Sequence, residues 1–153
     1  DEDNSFSWTY EISPGRYERK EPVRLLTDFF KKEVFSRFES KNVFLFGFSQ
    51  GALVCYEMLK LLERPLGGVF PIAGFMAETK KDIKRIHPSQ VDVPIIIGHG
   101  INDEVIQVEA SQIAYRLLSR ESKNVSIYEY NGGHKISFGY MKKIKKLIEG
   151  KFN

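Results

Sequence analysis

Cysteine is almost missing: Cys55 stands alone in 153 residues. It can form no internal disulfide and cannot build a thiolate metal site, so a reducing, cytoplasmic compartment is expected. Long hydrophobic runs are missing too. No apolar stretch reaches the roughly 18–20 residues that span a bilayer, which excludes stable membrane insertion through a helix. The acidic start, Asp1-Glu2-Asp3-Asn4, has neither a signal-peptide core nor an initiator Met. The chain is therefore expected to begin inside a longer protein. No charge of one sign dominates: 23 Lys and Arg against 20 Asp and Glu leave +3. Without a basic stripe, that excess does not point to nucleic acid. Repeats and low-complexity tracts are absent as well.

What remains is the profile of a packed globular protein, 42% hydrophobic, 28% charged and 13% aromatic, which excludes intrinsic disorder and fibrous repeats. Its length suits one domain over residues 1–153, burying about two thirds of the surface of the unfolded chain.

Gly and Pro punctuate the chain, and apolar runs alternate with helical patterns between them. A short strand is expected near Phe6–Tyr10, before the Pro14-Gly15 turn signal. Residues 21–39 read as a helix, with Pro22 in its first turn and Leu26, Phe29, Phe30, Val34 and Phe38 at spacings of three and four. Val43-Phe44-Leu45-Phe46 is a continuous apolar run that Gly47 is expected to break. Such a run suits a strand buried on both faces of a parallel sheet. A helix over 50–63, with Leu53, Met58, Leu59 and Leu62 inward, precedes a strand over 68–74. Residues 75–93 read as irregular. A strand over 94–98, a helix over 107–121 through Ile113, Ala114, Leu117 and Leu118, and a strand over 125–130 come next. A last helix over 136–150 would place Phe138, Met141, Ile144, Leu147 and Ile148 on one face. Strands alternating with helices imply right-handed crossovers and a parallel sheet covered on both sides, an α/β three-layer fold.

The chemistry centres on Gly47-Phe48-Ser49-Gln50-Gly51. G-x-S-x-G arises by chance about 0.05 times in a chain of this length, at average Gly usage and similar Ser usage. Its setting is what makes it specific. A buried strand runs into it and a helix runs out, the strand–turn–helix context of a nucleophile elbow. Both glycines are expected to be needed because a Cβ at either would collide with backbone, and Ser49 must take a strained conformation. The alternative is an ordinary turn in which Ser49 caps the helix.

A serine hydroxyl needs a base, and the chain offers His87, His99 and His134. Sites in open parallel sheets lie beyond the carboxyl ends of the strands. His134, in Asn131-Gly132-Gly133-His134, follows the strand 125–130 at that edge. His87 lies in a polar loop and is expected to be solvated. His99 also ends a strand and competes, although its expected role is structural, packing beside the elbow. The base in turn needs a carboxylate. Asp103 follows the strand 94–98 at the same edge, Glu104 is its near alternative, and Asp92 precedes that strand at the opposite end. The order Ser, Asp, His is that of α/β-hydrolases.

Together, Gly47-Phe48-Ser49-Gln50-Gly51-Ala52, His99-Gly100-Ile101-Asn102-Asp103-Glu104-Val105 and Gly132-Gly133-His134 resemble the phospholipase/carboxylesterase family of α/β-hydrolases, which includes small carboxylesterases and acyl-protein thioesterases. Ser-Trp-Thr at 7–9 resembles a segment just upstream of that family's elbow. A related family of small fungal and animal serine hydrolases shares the elbow and the Gly-Gly-His. The resemblance implies Ser49 as nucleophile, His134 as base, Asp103 as its orienting acid and the Gln50 backbone N–H as an oxyanion donor. It implies no metal and no cofactor, and a small-molecule ester or acyl-thioester substrate. Phe48 flanks the nucleophile, and Phe75 and Met76 after the strand 68–74 are candidates for an acyl pocket. In the family further strands precede the elbow helix and supply a second oxyanion donor. The expectation is therefore that this chain is the C-terminal two thirds or so of a longer enzyme, with an open apolar sheet edge beside the strand 43–46.

Two rival readings follow from the same residues. One is a non-catalytic α/β binding module. The other is a membrane-surface protein using Lys142, Lys143, Lys145 and Lys146, which otherwise read as a solvated helix face. Cys55, among Ala52, Leu53 and Met58, is expected to be packing.

Overall fold

The computed structural model describes residues 11–13, 16–77 and 84–152. The strand expected near Phe6–Tyr10 lies outside them. A short antiparallel pair, β1 (Glu11–Ser13) and β2 (Arg16–Tyr17), opens the described chain. The main sheet has four parallel strands, β3 (Phe44–Phe48), β4 (Gly68–Ile72), β5 (Ile95–Gly100) and β6 (Val125–Tyr130), in the order β3-β4-β5-β6. The central strands β4 and β5 are buried at every residue, whereas β3 and β6 are only partly so. That contrast is what the near-continuous apolar runs encode: a parallel strand covered on both faces has no polar side to display.

Helices α3 (Gln50–Leu61) and α4 (Val108–Leu118) cover one face, together with α1 (Lys20–Phe29). Val69, Ile95 and Ile97 point into that layer beside Met58, Leu59, Leu62, Ala114 and Leu118. The other face carries α5 (Phe138–Glu149), packed through Tyr140 and Ile144 on Phe70, Ile72 and Ile96. Alternate residues of each strand thus serve opposite layers, as the period of two requires.

Several expectations change. The helix expected over 21–39 is α1, a π-helical turn over Phe30–Val34 and a short α2 (Phe35–Arg37). A π turn widens the spiral, so the inward stripe jumps from Phe30 to Phe35, leaving Phe29 and Phe38 exposed. Gly47 does not end β3, which continues to Phe48. In α4 the inward residues are Ser111, Ala114 and Leu118, and Ile113 is exposed. In α5 they are Tyr140 and Ile144, while Phe138 is 75% exposed and Met141 also faces out. Tyr140 takes the inner position because its hydroxyl donates to the Ile96 carbonyl while its ring fills the space over Gly98.

Among the described residues β3 pairs only with β4, and Phe46 on that strand is 43% exposed, which matches the expected open edge. No helix among them is long and apolar enough to cross a membrane.

Candidate active site

Ser49 sits between the end of β3 and the first residue of α3 with φ 55° and ψ −115°. A positive φ is uncommon for any residue with a Cβ and costs of order 1–3 kcal/mol, so the surroundings must hold it. They do so through the main chain. The Ser49 N–H donates to the Ile72 carbonyl on β4 at 2.9 Å, and the Ser49 carbonyl accepts from Ala52 at 3.0 Å. Close packing of strand on helix adds to this: a Cβ at Gly47 would lie 2.1 Å from the Gly51 carbonyl oxygen. The expectation for Gly51 itself is overturned, because a Cβ there would meet nothing within 4 Å. The crowding is one-sided, with the helix backbone pressing on the strand. The Ser49 side chain makes no capping hydrogen bond to α3, so the ordinary N-cap reading fails.

Its hydroxyl lies instead 3.1 Å from Nε2 of His134. Nδ1 of the same ring is 2.8 Å from Oδ2 of Asp103. A carboxylate only accepts, so Nδ1 carries the proton, and Nε2 is left as an acceptor aimed at Ser49. Asp103 is buried, and its other oxygen, Oδ1, accepts the backbone N–H groups of Val105 and Ile106, both at 2.9 Å. Burial pushes this carboxyl up, but the Ile106 amide, the His134 ring and the Val105 amide outweigh it and hold it below the usual carboxylate range. The ionised form is thus the one the fold selects, and that contribution to stability is lost as pH falls through the lowered value.

Sequence position separated three of these residues by up to 85 places, and the topology brings them to one edge. The loop after β5 carries Asp103 and the loop after β6 carries His134. Main-chain bonds lace the two loops together: Ile101 N–H to the Tyr130 carbonyl at 2.9 Å, and Asn102 N–H to the Gly132 carbonyl at 3.0 Å. The side chains of Asn102 and Asn131 add a further bond at 2.9 Å. The approach is so close that a Cβ at Gly100 would lie 2.3 Å from the Gly132 carbonyl oxygen and 2.4 Å from that of Gly133. Gly100→Ala should therefore push the His134 loop off Asp103. Any turnover that runs through this pair should fall about 10²-fold, the scale of a misplacement near 1 Å. Unchanged kcat in a folded Gly100→Ala protein would count against this coupling.

The other candidates fall as follows. His87 is half-buried, not solvated: its Nδ1 accepts the Ser89 N–H at 3.2 Å and caps a short 3-10 turn over Pro88–Gln90. Glu104 is exposed beside Asp103, and Asp92 lies before β5, its carbonyl accepting from Asn124. His99 is fully buried, and its partner Ser111, a polar residue on the inner face of α4, has no signature in residue pattern. Gln50 opens α3, so its backbone N–H belongs to the first turn, at the positive end of the helix dipole. The Phe48 ring lies 4.7 Å from the His134 ring, centroid to centroid. Phe75 and Met76 line a groove of about 410 Å³ against Ala110, Ile113 and Leu117 of α4, and Ser49, Asp103 and His134 are not in its lining. Cys55 is buried, and burial pushes its thiol up to about 12, so it stays protonated. Among the described residues no group of three or more His, Cys, Asp or Glu side chains is set to hold a metal ion.

Residues 12–151 match the family model described as Phospholipase/Carboxylesterase. The chain belongs to that family. A probable carboxylesterase of Oryza sativa subsp. japonica is 33% identical to it over 107 residues, which are 69% of this chain and 40% of the rice protein. The carboxylesterase SOBER1 of Arabidopsis thaliana is 28% identical over 130 residues, 84% of this chain and 57% of SOBER1. The crystal structure of SOBER1 superposes with a TM-score of 0.81 at 25% identity, covering 96% of this chain and 74% of the other. An acyl-protein thioesterase 1 of Kluyveromyces lactis is 26% identical over 102 residues, 66% of this chain and 45% of the yeast protein. The phospholipase/carboxylesterase chain described here thus spans about half the length of the curated relatives it matches. Its parallel sheet and flanking helices are those of the α/β-hydrolase fold of its structural neighbours.

Proposed function

We propose that this chain carries the nucleophile, base and orienting acid of a serine hydrolase that cleaves carboxylic esters or acyl thioesters of small molecules. The observation that carries the reading is the continuous line of hydrogen-bonding distances from Ser49 Oγ through both nitrogens of His134 to Asp103, built on a strained serine. Ser49 Oγ attacks the acyl carbonyl carbon as His134 Nε2 takes its proton. Asp103 stabilises the imidazolium that results. The negative charge that moves to the carbonyl oxygen is met by the Gln50 N–H, where the α3 dipole adds to the hydrogen bond. His134 returns the proton to the departing alcohol or thiol, leaving an acyl group on Ser49. Water, deprotonated by the same nitrogen, then attacks that acyl group and frees the acid and Ser49. Phe48, against the His134 ring, walls the site, and Phe75 and Met76 are proposed to hold the apolar part of a substrate. The relatives' names favour esters of both kinds, since the same steps apply to an oxygen or a sulfur leaving group.

A fluorophosphonate tests the reading directly. The serine displaces fluoride, forms a stable phosphonyl ester and stalls there. One adduct per chain is expected, mapped by mass spectrometry to the peptide holding Ser49, and His134→Gln should slow its formation strongly. No adduct, or one on another residue, would falsify the assignment.

A further inference from the structure

His99 is fully buried, yet both of its ring nitrogens are engaged. Nε2 lies 2.8 Å from the Ile106 carbonyl oxygen and 3.3 Å from Oδ2 of Asp103. Nδ1 lies 2.6 Å from Oγ of Ser111. A carbonyl and a carboxylate can only accept, so Nε2 must carry a proton. In the neutral ring Nδ1 is then an acceptor, and the Ser111 hydroxyl donates to it. Ser111 is also fully buried, and its oxygen stands 3.4 Å from the Gly74 carbonyl at the start of the loop leaving β4. Gly74 in turn packs on the elbow: a Cβ there would lie 2.7 Å from the Ser49 carbonyl oxygen. Hydrogen-bonding and ion-pair distances thus run from Ser49 through His134, Asp103 and His99 to Ser111.

The placement of His99 on the Asp103 turn is specific. Oδ1 of Asp103 is fixed by the Val105 and Ile106 amides. Oδ2 receives His134 at 2.8 Å and lies 3.3 Å from Nε2 of His99, whose N–H goes to the Ile106 carbonyl. The Ile106 residue that donates its N–H to Asp103 gives its carbonyl to His99. A buried ring that only filled space would have no need to bind the turn that carries the carboxylate, since an apolar side chain of that volume avoids the cost of burying polar atoms.

We propose that His99 is a positioning residue for the hydrolysis: its Nε2–H, held in that tautomer by Ser111, pins the 103–106 turn and keeps Asp103 in the one rotamer that faces His134. The kinetic part of this inference rests on the hydrolase reading, while the tautomer stands without it.

Three variants and one spectrum test it. His99→Leu keeps apolar volume and removes both polar contacts. His99→Gln returns an amide N–H close to where Nε2 stood. Ser111→Ala leaves the ring and removes the donor to Nδ1. With folding verified by circular dichroism, kcat should fall about 10²-fold in His99→Leu with KM unchanged, the scale of a misplaced reacting group. His99→Gln should recover most of that loss, and Ser111→Ala should show a smaller loss of kcat with KM again unchanged. Equal kcat in the Leu and Gln variants overturns the proposal, as does a loss that appears in KM alone. In the unmodified protein, ¹⁵N NMR of the His99 ring should show the proton on Nε2, and a proton on Nδ1 with Nε2 bare overturns the proposal even where the variants do not fold. Activity that survives Ser49→Ala would instead remove the hydrolase reading itself. Loss in Ser49→Ala with none in His99→Leu removes only the role of His99.

Discussion

Ser49→Ala should abolish turnover of a p-nitrophenyl ester while leaving the fold intact. The expected loss in kcat is of order 10⁶, the scale found when a triad nucleophile is removed, because the residual rate then comes only from binding and oxyanion donors. The fold should not notice the change. The serine hydroxyl makes no bond to the helix it precedes, and the Ser49 main chain, which holds the elbow, is untouched. Alanine at φ 55° carries the same Cβ strain as serine. Ser49→Gly should therefore be the informative companion: equally inactive, but more stable by about 1 kcal/mol, because glycine takes a positive φ without penalty. The pair of measurements is residual kcat and the urea midpoint of unfolding. Turnover above a few per cent in either variant would remove Ser49 from the reaction. A Ser49→Gly protein less stable than Ser49→Ala would mean that the elbow is not strained.

How far this site could be read from residues alone depended on whether its geometry is local. The elbow was legible because everything it needs lies within a few positions: an apolar run, Gly47, Ser49 and the start of a helix. The pairing of Asp103 with His134 was legible for a different reason. Each follows a strand of the same parallel sheet, so both must come out at its carboxyl edge. What escaped was set by packing at a distance. Ser111 reads as an ordinary polar helix residue, and only its position beneath His99 gives it meaning. Tyr140, not Phe138, lies inside, which hydropathy misses because it ignores a hydroxyl that finds a carbonyl in the core. The stripe over 21–39 differs from the one its spacing predicts because a π turn has no signature in apolar periodicity. Gly51 looked indispensable through its place in the pattern, yet the space around it is open, and the steric demand falls on Gly47.

Asp103→Asn should cost about 10⁴ in kcat, the scale of the corresponding change in a well-studied triad, and Glu104→Gln should cost almost nothing. The difference follows from how many donors surround each group. An asparagine at 103 has one acceptor oxygen where the carboxylate had two. The Val105 and Ile106 N–H groups converge on Oδ1 and cannot turn away, so the amide oxygen must stay with them. The NH₂ group is then forced toward Nδ1 of His134, which has to give up its proton and accept. The neutral ring moves that proton to Nε2, where it faces Ser49 and can no longer take the serine proton. The geometry survives and the tautomer is wrong. Stability near neutral pH should fall modestly: both turn amides keep an acceptor, but the contribution of the ionised carboxylate is lost. Glu104 is exposed, so its charge is screened by water. Steady-state kinetics on the two variants decides the matter. If Asp103→Asn keeps more than a tenth of the activity, or Glu104→Gln is the more damaging, another carboxylate orients His134.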